Sequence, residues 1–255
     1  MRDVLSILRR EMSHRLREPV WVIMQLGQPI LFMFFFGPIL KQFVVHTPGF
    51  PPGTAWTIFT PALMLQMVLI GASTVGVAFL AEYRSGTFER FRVTPMRPSS
   101  LLLGKVLCVT LSVLVQSSVL VLICQLFFGL DTTVPGMLAS FGMVALLSVA
   151  LSSFSYGLTL RIPSEQALPA ALNAMLLPLI LLSGTLLPIT AELAPAWLYR
   201  LSLLNPVAHV MTATRAFFRG DFSVEATWSG VVSVVVMSVG ALCFGIRTFG
   251  RNDLK

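Results

Sequence analysis

The composition of the chain restricts it to one class of protein. Of its 255 residues, 55% are hydrophobic and only 11% are charged. Apolar runs of about 20 residues, the length that crosses a bilayer, recur throughout. These values exclude a soluble globular core and predict a single transmembrane domain over 1–255. The formal net charge of +7 does not indicate nucleic-acid binding, because the basic residues divide by membrane side and form no patch with interleaved aromatic residues.

Residues 1–18 carry the pattern of an amphipathic helix. Val4, Leu8, Met12 and Leu16 repeat every four residues, and most of the basic residues lie off this apolar stripe. Such a helix suits the membrane surface, where basic side chains reach anionic headgroups. Packing on a soluble partner is the alternative that the pattern leaves open.

Six apolar runs follow, and they predict an all-α polytopic membrane protein with six transmembrane helices. Pro19 starts the first run, and prolines also interrupt the fifth. The predicted spans are 20–44, 57–81, 101–128, 135–160, 166–187 and 228–246. Serines at 148, 152, 153 and 155 concentrate in the fourth span, where small residues favour close helix packing.

The segment 188–227 differs from an ordinary loop, since it is rich in apolar residues and yet contains prolines at 188, 195 and 206. It cannot form one straight span. Broken backbone at membrane depth must be buried in protein or line a wet cavity. The pattern predicts re-entrant helices on the outer side, with a surface loop of amphipathic helices as the alternative.

The distribution of basic residues predicts the orientation. Of the 18 Lys and Arg residues, all but Lys41, Arg200, Arg215 and Arg219 fall on the side of the termini. Lys and Arg are enriched on the cytoplasmic side. We therefore expect a multi-pass protein of the plasma (inner) membrane, with both termini and the polar segment 82–99 in the cytoplasm.

This polar segment, between the second and third spans, has the features of a short helix made to contact a partner. Gly86 and Thr87 supply a break and an N-cap, and Pro95 ends the helix. Phe88 and Phe91 are three residues apart and share one helix face, with charged residues on the others. An aromatic knob with a charged rim suits a groove on a cytoplasmic partner.

The amino-acid sequence of this segment also resembles that of a known protein family. The run E-Y-R-S-G-T-F-E-R-F-R-V-T-P from Glu82 to Pro95, followed by Gly104-Lys105, resembles the cytoplasmic coupling segment of type-2 ABC exporter permeases, in their drug- and antibiotic-export branch. Asn205-Pro206, with Arg215 nearby, resembles the N-P motif before the last span of that family. The six-span layout and the N-terminal helix match as well, so the resemblance covers essentially the whole chain.

The resemblance implies a half-transporter. Two such subunits, as a homodimer or with a paralogue, would form the pathway in the lipid bilayer, and two cytoplasmic ABC ATPase subunits would drive it. The residues that it places in the segment receiving motion from the ATPase are Glu82, Gly86, Thr87, Phe88, Glu89, Arg90, Phe91 and Pro95.

The chain is not expected to be an enzyme, because it lacks the phosphate-binding pattern G-x-x-x-x-G-K-[ST]. Ser99 stands five residues before Gly104 where that pattern needs glycine, and Val106 follows Lys105. We therefore expect no cofactor and no metal on this chain, with ATP and Mg²⁺ bound by the partner ATPase.

The substrate route is less marked in the sequence. Candidate pathway residues, for which packing against helices or lipid is the alternative, are Gln25, Gln28, Phe32, Phe35, Gln66 and Asn173. Arg161 and Glu165 form a candidate second cytoplasmic contact, or mark the headgroup boundary. No ionisable residue lies securely in mid-span, which favours a hydrophobic or amphipathic substrate (drug, antibiotic or lipid-like) over a small ion. A polysaccharide or lipid-linked glycan exporter is the alternative; a secondary transporter or membrane enzyme is more remote.

Overall fold

The computed structural model describes residues 2–17, 19–47, 50–84, 98–222 and 225–252. Within these ranges the secondary structure is all-helical, which confirms the all-α part of the predicted fold class. The helices are α1 Arg2–Arg17, α2 Pro19–His46, α3 Ala55–Arg84, α4 Pro98–Phe128, α5 Val134–Arg161, α6 Ala167–Leu181, α7 Ala196–Leu203, α8 Pro206–Phe218 and α9 Glu225–Asn252.

Five of these helices, α2, α3, α4, α5 and α9, are long and apolar enough to cross a membrane. The predicted span 166–187 instead contains α6, which has 15 residues. At 1.5 Å per residue α6 is about 22 Å long, shorter than a hydrocarbon core of about 30 Å. The helix stops because turns follow at 182–184, and Gly184 has a φ of +71°, which a helix does not continue through. The count of six spans therefore stays a prediction.

Helix α5 lies at the centre of the bundle and packs against α3, α4, α8 and α9. Its contact with α3 is close because Gly76 has no side chain. The Gly76 amide donates to Ser155 Oγ over 3.0 Å, and Thr159 Oγ1 donates to the Gly76 carbonyl over 3.0 Å. Thr110 Oγ1 of α4 likewise donates to Ser148 Oγ over 3.3 Å. The predicted packing role of the α5 serines is confirmed at these contacts.

The N-terminal helix α1 packs along α4, and the residue most buried at this contact does not belong to the predicted apolar stripe. Its most buried side chain is Ile7, 4% exposed, whereas Val4 and Leu8 on the stripe are half-buried. Gly104 makes this packing possible, because a Cβ there would lie 2.7 Å from Ile7 Cγ2. The residue of α1 that is buried against α4, Ile7, therefore lies outside the stripe that the sequence predicts for the membrane surface.

Two short helices form after α6, as the prolines in 188–227 indicate. Pro195 precedes α7, and Pro206 occupies the first turn of α8. At that position the backbone N–H that proline lacks would have no partner in the helix. Helix α8 packs against α3, α5 and α9. The short helices are confirmed, while their re-entrant depth in a membrane stays a prediction.

Candidate functional site

The coupling segment joins the end of α3 to the start of α4. Of its predicted functional residues, Glu82 lies in the last turn of α3. The others fall outside the described residues: Gly86, Thr87, Phe88, Glu89, Arg90, Phe91 and Pro95. The short helix predicted between Thr87 and Pro95 and its aromatic knob stay predictions.

A buried lysine marks the base of this segment. Lys105 of α4 is 3% exposed, and its Nζ donates to Glu82 Oε2 over 2.7 Å and to Glu11 Oε1 over 3.0 Å. The same Nζ lies 5.4 Å from the centre of the Phe79 ring. We call Glu11, Glu82 and Lys105 the charged node, and it joins α1, α3 and α4.

The charged node follows from the packing of α1. Gly104 admits Ile7 closely, and Glu11 lies one helical turn after Ile7, so Glu11 arrives beside Lys105. Glu82 is part of the predicted coupling segment, but no sequence signal singles out Glu11. Its position can be anticipated only once the register of α1 on α4 is known.

A second ion pair lies near the same end of the bundle. Arg84 Nη1 donates to Glu165 Oε1 over 2.8 Å, and Arg84 Nη2 donates to the Pro163 carbonyl over 3.0 Å. Glu165 thus pairs with Arg84 and not with Arg161, whose guanidinium lies 4.7 Å from the Phe244 ring centre. Both partners of the pair are exposed, so it contributes little stability, roughly 0–1 kcal/mol. It does connect the end of α3 to the residues between α5 and α6.

Three candidate pathway residues meet between α2 and α3. Gln25, Gln28 and Gln66 line a pocket of about 40 Å³, and Gln25 packs on Gly71. Ligand sites for drug-sized molecules have about 300–1,000 Å³, so this pocket is much smaller than such a site. Phe35 is 67% exposed and Asn173 is exposed, and neither lines this pocket. Phe32 stacks on Phe36 at 5.2 Å.

At the opposite end of the bundle, Asn205 of the N-P motif bonds in two directions. Its Oδ1 accepts a hydrogen bond from the Val207 amide over 3.0 Å and caps α8, and its Nδ2 donates to the Leu179 carbonyl over 2.9 Å. The second bond ties the start of α8 to the last turn of α6. The motif is therefore a structural joint as well as a helix start.

We expect Asn205→Ala to lower the unfolding temperature of the purified protein. Loss of the cap costs about 1 kcal/mol, and the Leu179 carbonyl loses its side-chain donor. Asn173→Ala is the matched control, because Asn173 is exposed on α6. Equal unfolding temperatures for the two variants would contradict the role assigned to Asn205.

Arg215 is buried on α8, with 6% of its surface exposed. Its Nε donates to the Ile58 carbonyl over 3.2 Å, and its Nη2 donates to the Gly184 carbonyl over 2.7 Å. Burial, and to a smaller degree the neighbouring Arg219, lower the pKa of the Arg215 guanidinium, which stays protonated at neutral pH. Arg215 thus connects α3, α8 and the turns after α6.

The family of the chain follows from a direct match. A family model described as "ABC-2 type transporter" matches residues 2–219, which include α1, the coupling segment and the N-P motif. The chain belongs to the ABC-2 type transporter family. It is therefore a membrane-embedded ABC transport permease, and permeases of this kind work with ATPase partners.

Individual relatives are distant but cover much of the chain. Identity is 22% over 248 residues to ycf38 of Pyropia yezoensis, named as a transport permease, which covers 96% of this chain and 82% of that protein. In Escherichia coli K12, YbhR, named as a multidrug ABC transporter permease, is 24% identical over 70% of this chain and 48% of its own length. YhhJ, named as an inner membrane transport permease, is 26% identical over 75% of this chain and 50% of its own length. The matches to the two bacterial proteins thus span about half of each.

Proposed function

We propose that the chain is the membrane subunit of an ATP-driven exporter. Two copies, or one copy with a paralogue, form the pathway, and two cytoplasmic ATPase subunits bind ATP and Mg²⁺. The single observation that carries this proposal is the charged node, because it fixes the helix from which the coupling segment starts. A segment that receives force must be anchored to the spans that it moves.

The chemistry of the charged node suits such an anchor. A buried ion pair contributes little net stability, but removing one partner leaves a buried charge at a cost of roughly 3–5 kcal/mol. The three side chains therefore tend to keep their helices together whenever one of them moves. Motion of α3 at Glu82 is thus expected to displace both α4 and α1.

The proposed cargo is a hydrophobic or amphipathic molecule, such as a drug, an antibiotic or a lipid, leaving the cytoplasm or the inner leaflet. The spans are apolar, and no ionisable side chain lies securely in mid-span, which disfavours an ion pathway. The name of the relative YbhR, a multidrug permease, and that of YhhJ, an inner membrane permease, agree with this cargo and with a plasma-membrane location. The termini and the charged node then face the cytoplasm, as the basic residues predict.

The coupling role has a direct test. We expect Gly86→Pro and Glu89→Lys to reduce ATP-dependent export of lipophilic dyes at least tenfold, since one distorts the predicted cap and the other reverses a charge on the rim. The measurement is dye transport into inside-out vesicles that contain the co-purified ATPase. Asp131→Lys is the matched control, because Asp131 is exposed in the link between α4 and α5, at the opposite end of α4 from the coupling segment. Wild-type export by both coupling variants would refute the assignment.

A further inference from the structure

A large space lies at the end of the bundle opposite the charged node. It is a cavity of about 810 Å³, within the range for sites of drug-sized ligands. Its walls come from the turns after α6, from α7 and α8, and from the segment before α3. We call it the outer cavity.

Two arginines line the outer cavity, Arg215 on α8 and Arg219 directly after this helix. They are four residues apart, so they share one face at the end of α8. Burial lowers the pKa of Arg215, and the like charge of Arg219 lowers it further. Burial also lowers the pKa of Arg219, an effect that Asp221 partly offsets. The fold thus holds two cations together at a cost.

Protein groups leave part of this charge unsatisfied. Arg215 uses Nε and Nη2 for two backbone carbonyls, and its Nη1 has no acceptor in the part of the chain that the structure describes. No carboxylate among those residues forms an ion pair with Arg215. A guanidinium offers five N–H donors, suited to two oxygens of a phosphate or carboxylate. A cation that is more than nine-tenths buried therefore presents free donors to a large cavity.

The remaining wall combines hydroxyl and apolar groups. Thr212, Tyr199 and Ser202 line the outer cavity, as do Ile189 and Leu203. The acidic residue of the lining, Glu192, is exposed. Nε2 of the His209 ring already forms a hydrogen bond with the Leu203 carbonyl over 2.9 Å. Next to the rim, Leu204 and Trp197 are 79% and 68% exposed, an apolar surface suited to a hydrocarbon tail.

We propose that the outer cavity binds the anionic headgroup of an amphiphile, with the guanidinium groups of Arg215 and Arg219 as its ligands. The headgroup is a phosphate or carboxylate, and its tail lies along the exposed apolar rim. Such a ligand supplies the negative charge that the protein does not place beside Arg215. This inference deepens the proposed function by naming the class of cargo, and for that role it rests on the proposed function. Binding itself requires neither ATP nor an ATPase.

The test measures binding on the full chain, purified with any subunits that it retains. The probes are dihexanoyl phosphatidylglycerol, dihexanoyl phosphatidylcholine with the same tails, and inorganic phosphate. We expect phosphatidylglycerol to bind at least tenfold more tightly than either of the others. Equal binding of the two lipids would overturn an anion site, and equal binding of inorganic phosphate would overturn an amphiphile as the ligand. These comparisons need no variant, so they do not depend on whether a mutant folds.

A variant then assigns the site. We expect Arg219→Gln to weaken phosphatidylglycerol binding at least tenfold, because Arg219 is only half-buried and its loss leaves the backbone bonds of Arg215 in place. The matched control is Arg200→Gln, an exposed arginine of α7 that does not line the outer cavity. Unchanged binding by Arg219→Gln, or equal weakening by Arg200→Gln, would refute the site. Lipid binding without ATP-driven export would instead refute the proposed function alone.

Discussion

Lys105→Met is expected to destabilise the protein by roughly 3 kcal/mol and to reduce ATP-driven export at least tenfold. The substitution leaves Glu11 and Glu82 facing each other without their shared cation. Glu82 is 40% exposed and Glu11 20%, so water relieves part of the penalty and the lower end of the range for a broken buried pair applies. The stability change is measured by chemical unfolding in detergent, and export by dye transport with the co-purified ATPase.

Two controls separate the charged node from a general effect of losing a lysine. Lys41→Met removes a lysine that is exposed on α2 and should leave both readouts unchanged. The triple variant Glu11→Gln, Glu82→Gln, Lys105→Met carries no unpaired charge in the node and should recover most of the stability but not the export. Full export by Lys105→Met would contradict an anchoring role. Full export by the triple variant would show that packing alone transmits the motion.

The second large effect is expected at Gly76, where α3 and α5 touch. A Cβ at this position would lie 2.5 Å from Ser155 Oγ, 2.6 Å from Thr159 Oγ1 and 2.7 Å from the Ser155 carbonyl oxygen. The carbonyl belongs to the backbone and cannot turn aside, so Gly76→Ala must separate the helices and stretch the two hydrogen bonds of the glycine. We expect a loss of about 1–3 kcal/mol from overpacking, and more if both bonds break.

Gly142→Ala is the matched control for this prediction. It makes the same change in α5, at a glycine whose Cβ would meet no atom within 4 Å. Alanine there should stabilise the helix by about 0.5–1 kcal/mol, because it lowers the entropy lost on folding. If the two alanine variants unfold at the same denaturant concentration, the close contact of α3 with α5 is wrong.

The sequence predicts the helices better than their faces. Apolar length alone identifies α2, α3, α4, α5 and α9, because crossing a bilayer imposes a length that composition reveals. The contact face of α1 was not predictable in the same way. Its apolar stripe, with Val4 and Leu8, predicts a face on the membrane surface, whereas Ile7 is the residue buried against α4, since the gap above Gly104 decides the register. That gap is a property of two helices together.

The predicted span 166–187 shows a second limit of the sequence, which concerns the length of a helix. Its composition is apolar enough for a span, but α6 stops at Leu181 and turns follow, with Gly184 in a left-handed conformation. Pro178 lies inside the helix and did not end it. Hydropathy reflects composition and does not show where the backbone turns, so it could not predict where this helix ends.

The letters of the sequence are enough to pick out the N-P motif, but they do not predict its contacts. Asn205 reaches Leu179 of α6, and Arg215 reaches Ile58 of α3, a residue 157 positions earlier. Contacts at such separation depend on the assembled bundle and leave no local period. The outer cavity follows from the same long-range contacts, which is why no sequence feature indicates it.

The most direct measurement places a photo-crosslinking phenylalanine analogue at Phe88, within the predicted aromatic knob, in the membrane of the source cells. If the coupling segment docks on an ATPase, crosslinks from position 88 should capture a nucleotide-binding subunit. The matched control is the same analogue at Phe222, an exposed aromatic residue after α8 at the opposite end of the bundle, which should capture none. A folded protein whose position 88 captures no nucleotide-binding subunit, or captures it no better than position 222, would contradict an ATPase-driven permease.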